Sequence, residues 1–161
     1  AGPILFPQET GGAGMGERAI YISNTDVELK DAPIQPEWIV SGAPRARMAE
    51  LSRSRDGAAV SVVWDCTAGE FDWRFGVDEW VHILEGAVEV QDEDGQWSEL
   101  TPGSVALFRA GVVSRWRVRD YVRKIAICRV AMPVPMGFAL RAFVKLRSML
   151  TSSAARGASF G

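Results

Sequence analysis

Histidine is almost missing from this chain: His82 is the only one in 161 residues. A lone imidazole excludes metal centres built from several histidines and relays that pass protons between them. Cysteine is scarce too, with only Cys66 and Cys128, each inside an apolar β-like run. Two thiols exclude a disulfide-dense scaffold and, without neighbouring histidines, a zinc site; buried free thiols are the reading adopted. Excess charge of either sign is absent, the net being −2, so nothing draws the whole protein to nucleic acid or to an anionic membrane. No apolar run approaches the roughly 20 residues that span a bilayer. Residues 1–16 lack the basic start and apolar block of a secretory signal, which makes the cytoplasm the expected location. Position 1 is not Met, so a processed or introduced start stays open.

What the chain does have is short alternating runs between turn residues. Ala59 to Cys66 carries three valines and Trp64, a composition suited to a strand. In Glu70 to Phe75, alternation puts Phe71, Trp73 and Phe75 on one face and Glu70, Asp72 and Arg74 on the other. Further runs follow at Glu79 to Leu84, Ala87 to Gln91, Gln96 to Leu100, Val105 to Phe108, Ser114 to Arg119 and Tyr121 to Ala131. Asp94-Gly95 predicts a hairpin and Pro102-Gly103 a turn. Such spacing predicts an all-β sandwich or barrel rather than βαβ units. Upstream, Pro33, Pro36 and Pro44 interrupt any long element. Ile34 to Gly42 is expected as an edge strand, and Arg45 to Ser54 as a short helix or an arm over the barrel. Downstream, Phe138 to Leu150 has apolar residues at helical spacing, opposite Arg141, Lys145 and Arg147. This helix is expected to pack on the barrel or on a partner subunit; a weak membrane-surface role is the alternative. The expected organisation is a flexible segment at 1–19, a barrel domain with an N-terminal arm at 20–133, and a short C-terminal helix with a disordered tail at 134–161.

From Trp64 to Arg129 the order of short motifs resembles the cupin superfamily, most closely its ureidoglycine aminohydrolase-type and ethanolamine-utilisation-type members. The matching stretches are Phe71-Asp72-Trp73-Arg74-Phe75, Asp78-Glu79, Ile83-Leu84-Glu85-Gly86, Asp92-Glu93-Asp94-Gly95, Thr101-Pro102-Gly103, Gly111, Trp116 and Val122-Arg123-Lys124. The resemblance implies a double-stranded β-helix, or jelly-roll barrel, usually paired as a homodimer. It also implies one divalent metal in the barrel mouth, held by an H-x-H pair, a Glu with a Gly seven positions later, and a His in a second motif.

Glu79 and Gly86 keep the family's Glu-to-Gly spacing. The H-x-H positions fall on Trp73 and Phe75 by the shorter permitted gap, or on Asp72 and Arg74 by the longer. The first is preferred because Trp73 and Phe75 lie on the apolar, inward face. In the second motif Gly103 and Gly111 fit, Arg109 replaces a proline and Ser114 replaces the histidine. Trp and Phe cannot ligate a metal, and one carboxylate binds a transition metal weakly. The expectation is therefore a protein with no metal or other cofactor held tightly. Glu79 is the candidate catalytic carboxylate, and Trp73, Phe75, Ser114 and Trp116 are the candidate ligand-binding residues. Aromatic walls favour its neutral acid by desolvation and a nearby arginine favours the carboxylate; the sequence leaves the two open. His82, three residues after Glu79, is expected on the opposite strand face. Arg115, Arg117 and Arg119 are expected to pair across strands with acids such as Glu89 and Glu99. Arg123-Lys124 receives no physical role. The functional expectation is a small-molecule-binding protein acting on a nitrogenous or carboxylated metabolite through Glu79. A metal-dependent enzyme using Glu79 with Asp72, and a non-catalytic ligand-sensing or dimerisation protein, stay open. Expected partners are a small molecule and a second copy, with no nucleic acid and no membrane.

Overall fold

The computed structural model describes residues 20–157. The segment expected to be flexible, 1–19, lies outside them. The described residues divide into two compact units, 20–130 and 131–157.

The first unit is all β. Its strands are β1 (Lys30–Asp31), β2 (Ile39–Gly42), β3 (Ala46–Arg53), β4 (Ala59–Arg74), β5 (Asp78–Gly86), β6 (Val88–Gln91), β7 (Trp97–Leu100), β8 (Val105–Phe108) and β9 (Val113–Arg129), with a 3-10 turn at Pro36–Trp38 before β2. All are paired antiparallel. Two long strands organise the rest. The first half of β4 pairs with β3 and its second half with β2, while β9 runs beside β4 along almost its whole length. On its other side, β9 pairs with β6 near its start and with β5 near its end. β4 and β9 thus pass through both halves of the structure, giving the all-β barrel that the spacing of short strands allows.

A register shift between Thr67 and Gly69 is what lets β4 serve both halves. Before it, the even positions Val60, Val62, Trp64 and Cys66 belong to the buried core; after it, Phe71 is buried and Trp73 packs against the core. Because side chains alternate with period two, this irregularity exchanges the faces and keeps the interior apolar along 16 residues. Gly69 permits the bend, since a Cβ there would lie 2.7 Å from the Pro44 ring. Gly86 closes β5 with φ 69°, and a Cβ would meet the Tyr121 carbonyl oxygen at 2.0 Å, so only glycine fits.

Two sequence expectations need correction. Residues 45–54, expected as a short helix or an arm over the barrel, are instead a strand of the sheet itself: β3 pairs with β4 from Ala46↔Cys66 to Arg53↔Val60. Helix propensity is a weak preference, and the unpaired edge of β4 offers a full ladder of hydrogen bonds. The expected edge strand at 34–42 shortens to Ile39–Gly42, because Pro36 opens a 3-10 turn instead. The Asp94-Gly95 hairpin forms as read. Asp92 Oδ1 accepts from the backbone N–H groups of Asp94 and Gln96, and Gly95 has φ 80°.

The outer face of β4, β9 and β6 carries a charge ladder. Arg115 donates to Asp72 at 2.7 and 3.1 Å, Arg117 to Glu70 at 3.1 Å, and Arg119 to Glu89 at 2.9 and 3.3 Å. The guanidinium of Arg117 also lies 4.2 Å over the Trp97 ring. Hydrogen bonds from Arg115 hold the Asp72 carboxyl below its ordinary range. That contribution is present at neutral pH and is lost only as acid protonates Asp72. Of the two acids expected opposite these arginines, Glu89 makes direct pairs, whereas Glu99 acts on Arg119 only through its charge.

The second unit contains α1 (Val134–Gly157), with Pro135 in the first turn, where its missing N–H is no loss. It is longer than the predicted 138–150, because residues 151–156 contain two alanines and no glycine or proline before Gly157. Met136, Phe138, Leu140, Phe143, Val144 and Leu146 are all exposed. No helix among the described residues is long and apolar enough to cross a membrane.

Candidate functional site

The central feature of the barrel interior is an ion pair. On β5, Glu79, Val81 and Ile83 face inward, while Trp80 is exposed and His82 half-buried on the outer face. On β9, the inward positions are Val122, Lys124, Ala126 and Cys128. Lys124 Nζ donates to Glu79 Oε1 at 2.5 Å, with the lysine 3% and the glutamate 7% exposed. Ion pairs this deeply desolvated are costly unless other groups stabilise them. Here the ammonium lies 4.6 Å from the Trp116 ring, 4.8 Å from Trp64 and 5.9 Å from Trp73, within the range of cation–π attraction. Those rings are fixed by one another: Trp64 meets Trp73 and Trp116 edge-on, and Trp38 meets Trp73 edge-on from the rim. Phe71 stacks on Trp116, and Phe75 stacks on Phe108 at 4.5 Å.

Beside the pair opens a cavity of about 240 Å³. Trp64, Trp73, Phe75, Met48 and Ala126 give it apolar walls, and Glu79 and Lys124 are its inward-facing charged residues, while Arg74 borders it from the outer face of β4. Cys128 also lines it, with its thiol pushed up to about 12 by burial and then by the Glu79 charge. Burial likewise raises the Cys66 thiol to about 12. Both cysteines are free and buried, as expected, and as neutral thiols they are poor nucleophiles.

The sequence-predicted site residues separate into three groups. Glu79, Trp73 and Phe75 line this cavity together. Trp116 sits behind it, 1% exposed, and reaches it through the Lys124 ammonium. Its Nε1 is a buried donor with no hydrogen-bond partner among the described residues. Ser114 lies apart: its hydroxyl donates to the Gln91 carbonyl at 2.8 Å, and it lines a different depression with Phe108 and Arg109. Lys124 was missed. Its signal was a cation within an alternating β-run, Val122 to Cys128, which predicts either Arg123 or Lys124 facing inward. Arg123 is the outer one; it donates to the Thr25 carbonyl at 2.7 Å and ties the N-terminal arm to β9.

The donor set does not fit a metal. The positions that the resemblance assigns to imidazole ligands by the shorter gap hold Trp73, Phe75 and a serine bonded elsewhere. Asp72, the carboxylate available under the longer gap, is on the outer face with Arg115. The one carboxylate facing the cavity is already bonded to an ammonium. Among the described residues no group of three or more His, Cys, Asp or Glu could hold a metal ion. What the arrangement offers instead is a fixed internal cation, a carboxylate acceptor and aromatic surfaces.

Residues 53–126 match the family model of the EutQ-like cupin domain. Among solved structures, a protein of unknown function from Pseudomonas syringae pv. tomato matches with TM-score 0.61 at 23% identity, over 65% of this chain and 46% of that one. A cupin-like protein from Thermotoga maritima matches with TM-score 0.52 at 13% identity, over 65% of this chain and 80% of that one. A putative ethanolamine utilization protein Q from Salmonella typhimurium matches at 21% identity, over 55% of this chain and 72% of that one, with TM-score 0.49. The chain thus spans less than half the length of the Pseudomonas protein, and at these identities the likeness is one of fold. A search of the curated proteins finds no match.

A mutant cycle separates the pair from its parts. Lys124→Met strands the Glu79 carboxylate in the interior and is expected to destabilise the protein by roughly 3–5 kcal/mol. The double substitution Glu79→Gln with Lys124→Met, measured by urea unfolding, should recover most of that loss. Equal stability of the single and double variants would show that the pair is not the source of the cost.

Proposed function

We propose that this chain, whose residues 53–126 form a cupin domain of the ethanolamine-utilisation type, binds a small metabolite in the barrel cavity without a tightly bound metal, with Glu79, Trp73 and Phe75 as its wall. The observation that carries this reading is the closed Glu79–Lys124 pair at the edge of an aromatic cavity of about 240 Å³. Pockets that bind small molecules combine apolar walls with a few converging polar groups, and this cavity has that make-up. Glu79 and Lys124 are also its candidates for moving a proton to or from the ligand, since they are the acid and the base nearest its apolar walls. The N-terminal arm and barrel, 20–133, are the part of the chain proposed to carry the site.

A ligand-stabilisation screen on the full chain tests the reading. A compound that binds the native state raises Tm by mass action. The expected hits are small nitrogenous or carboxylated metabolites whose stabilisation disappears in Glu79→Gln and Trp73→Ala. Hits indifferent to both substitutions would place binding elsewhere. Elemental analysis of protein purified without a metal-affinity tag is expected to find well under one equivalent of any transition metal. One equivalent surviving dialysis would overturn the metal-free part.

A second copy of the chain is the protein partner we propose. On the outer face of β5, Trp80 lies opposite Leu107 of β8 and Ile127 of β9, and all three are exposed. Among the described residues β8 pairs with β5 alone, so its other edge is open. An apolar patch beside an open strand edge suits isologous pairing. The cytoplasm is the proposed location, in keeping with two buried free thiols. Sedimentation should show a dimer that Leu107→Glu converts to monomer; a monomeric wild-type chain would remove this partner.

A further inference from the structure

Lysine is sparse in this chain: Lys30, Lys124 and Lys145 are the only three. Lys30 and Lys145 are exposed, whereas Lys124 is 3% exposed. Three neighbours fix the place of its amine inside the barrel. Nζ donates to Glu79 Oε1 and lies 4.8 Å from the Trp64 ring and 5.9 Å from the Trp73 ring. Glu79, Trp64 and Trp73 all line the cavity, as Lys124 itself does. The amine is therefore at the cavity wall and not behind it. Pro33, Gln35 and Gly76 line the same space and are exposed, so a small molecule can reach it from outside.

Stability alone does not call for this pair, because apolar residues of like volume often hold an interior as well or better. What the pair adds is a nucleophile. A lysine amine attacks a carbonyl carbon once it has lost a proton, and here the group that takes the proton is already bonded to Nζ. Passing it along the hydrogen bond to Glu79 leaves a neutral amine and a neutral acid, with no net charge created in the interior. The other nucleophile lining the cavity, Cys128, is held as its thiol by burial and by the Glu79 charge.

We propose that Lys124 condenses reversibly with a small apolar aldehyde to form an iminium, with Glu79 carrying the protons. The inference rests on the cavity reading above and names the chemical class of its ligand. In the first step the Nζ lone pair bonds to the carbonyl carbon, and the carbonyl oxygen takes the proton held by Glu79. Nζ then returns a proton to Glu79, which passes it to the new hydroxyl. The C–O bond breaks, water leaves, and the nitrogen lone pair closes the C=N bond. An ammonium and an aldehyde become an iminium and water, so the charge of the site is the same before and after. The iminium inherits the carboxylate and the three indoles that surround the ammonium. Trp73, Phe75 and Met48 offer apolar surface to the body of the aldehyde.

Benzaldehyde with cyanoborohydride, which reduces the iminium to a stable secondary amine, tests the step on the full chain. Peptide mapping by mass spectrometry compares the benzyl label at Lys124 with that at Lys30 and Lys145 in the same sample. Lys124 is expected to be labelled at least about tenfold faster, because the cavity holds the carbonyl against the amine. Without reductant the adduct should disappear on dialysis. Glu79→Gln is expected to slow labelling of Lys124 by about tenfold or more and to leave Lys30 and Lys145 unchanged. Benzyl alcohol has the same shape and no carbonyl; it is titrated while the tryptophan indole N–H signals are followed by NMR. Saturable shifts at Trp64 and Trp73, with Lys124 labelled no faster than the two exposed lysines, overturn the condensation and leave the cavity reading standing. No saturable shift at those indoles and no preferred label at Lys124 overturn both.

Discussion

The buried contact between Glu79 and Lys124 governs the interior of this barrel. A carboxylate there without a partner would be strongly unfavourable, and so would an ammonium. Together they are neutral, and the indoles of Trp64, Trp73 and Trp116 give the cation the electron-rich surfaces that water would otherwise supply. Where a metal ion could compensate such a carboxylate in another protein, here a lysine on the neighbouring strand does so. The difference is chemical as well as structural. A metal ion presents open coordination positions and polarises what binds there, whereas an ammonium presents fixed N–H donors and a single charge.

Strand register makes the contact possible. β5 and β9 are antiparallel neighbours, with Glu79 opposite Cys128 and Lys124 opposite Ile83. The two charged residues are thus four positions apart along the ladder, about 13 Å of strand. Only two long side chains reaching toward each other along the inner face can close that distance. Between their positions β9 places Ala126, 1% exposed and opposite both Val62 and Val81. A larger residue there would fill the track the lysine stem follows and part of the cavity beside it. The small alanine, the long lysine and the aromatic box are therefore one arrangement, and the pair runs diagonally between neighbouring strands beside the cavity.

The strands around the site were legible because their chemistry alternates. Phe71-Asp72-Trp73-Arg74-Phe75 declares its inner face, and the structure keeps Asp72 outside with Arg115. Glu79 and His82 fall on opposite faces as their spacing demands. Lys124 was not legible, for a definite reason. The run from Val122 to Cys128 has apolar residues in both phases, with Val122, Ala126 and Cys128 in one and Ile125 and Ile127 in the other, and a cation in each phase at Arg123 and Lys124. Periodicity cannot choose between them; the register with β5 does. Ser114 misled in a different way. The resemblance puts it at a ligand position, but its hydroxyl donates to the Gln91 carbonyl and it lines a different depression. β3 was misread because its residues suit a helix locally, while the deciding factor, an open edge on β4, lies outside the segment.

Fixing the cation in the fold also constrains what the cavity can recognise. A metal-bearing barrel holds its positive charge at the centre of the site, and its ligands coordinate it. Here the central charge is already compensated, because the Lys124 ammonium faces the Glu79 carboxylate and three indoles. Chemistry in the cavity would then be confined to what an amine, a carboxylate and aromatic rings can do: hydrogen bonding, proton transfer, condensation with a carbonyl and exclusion of water.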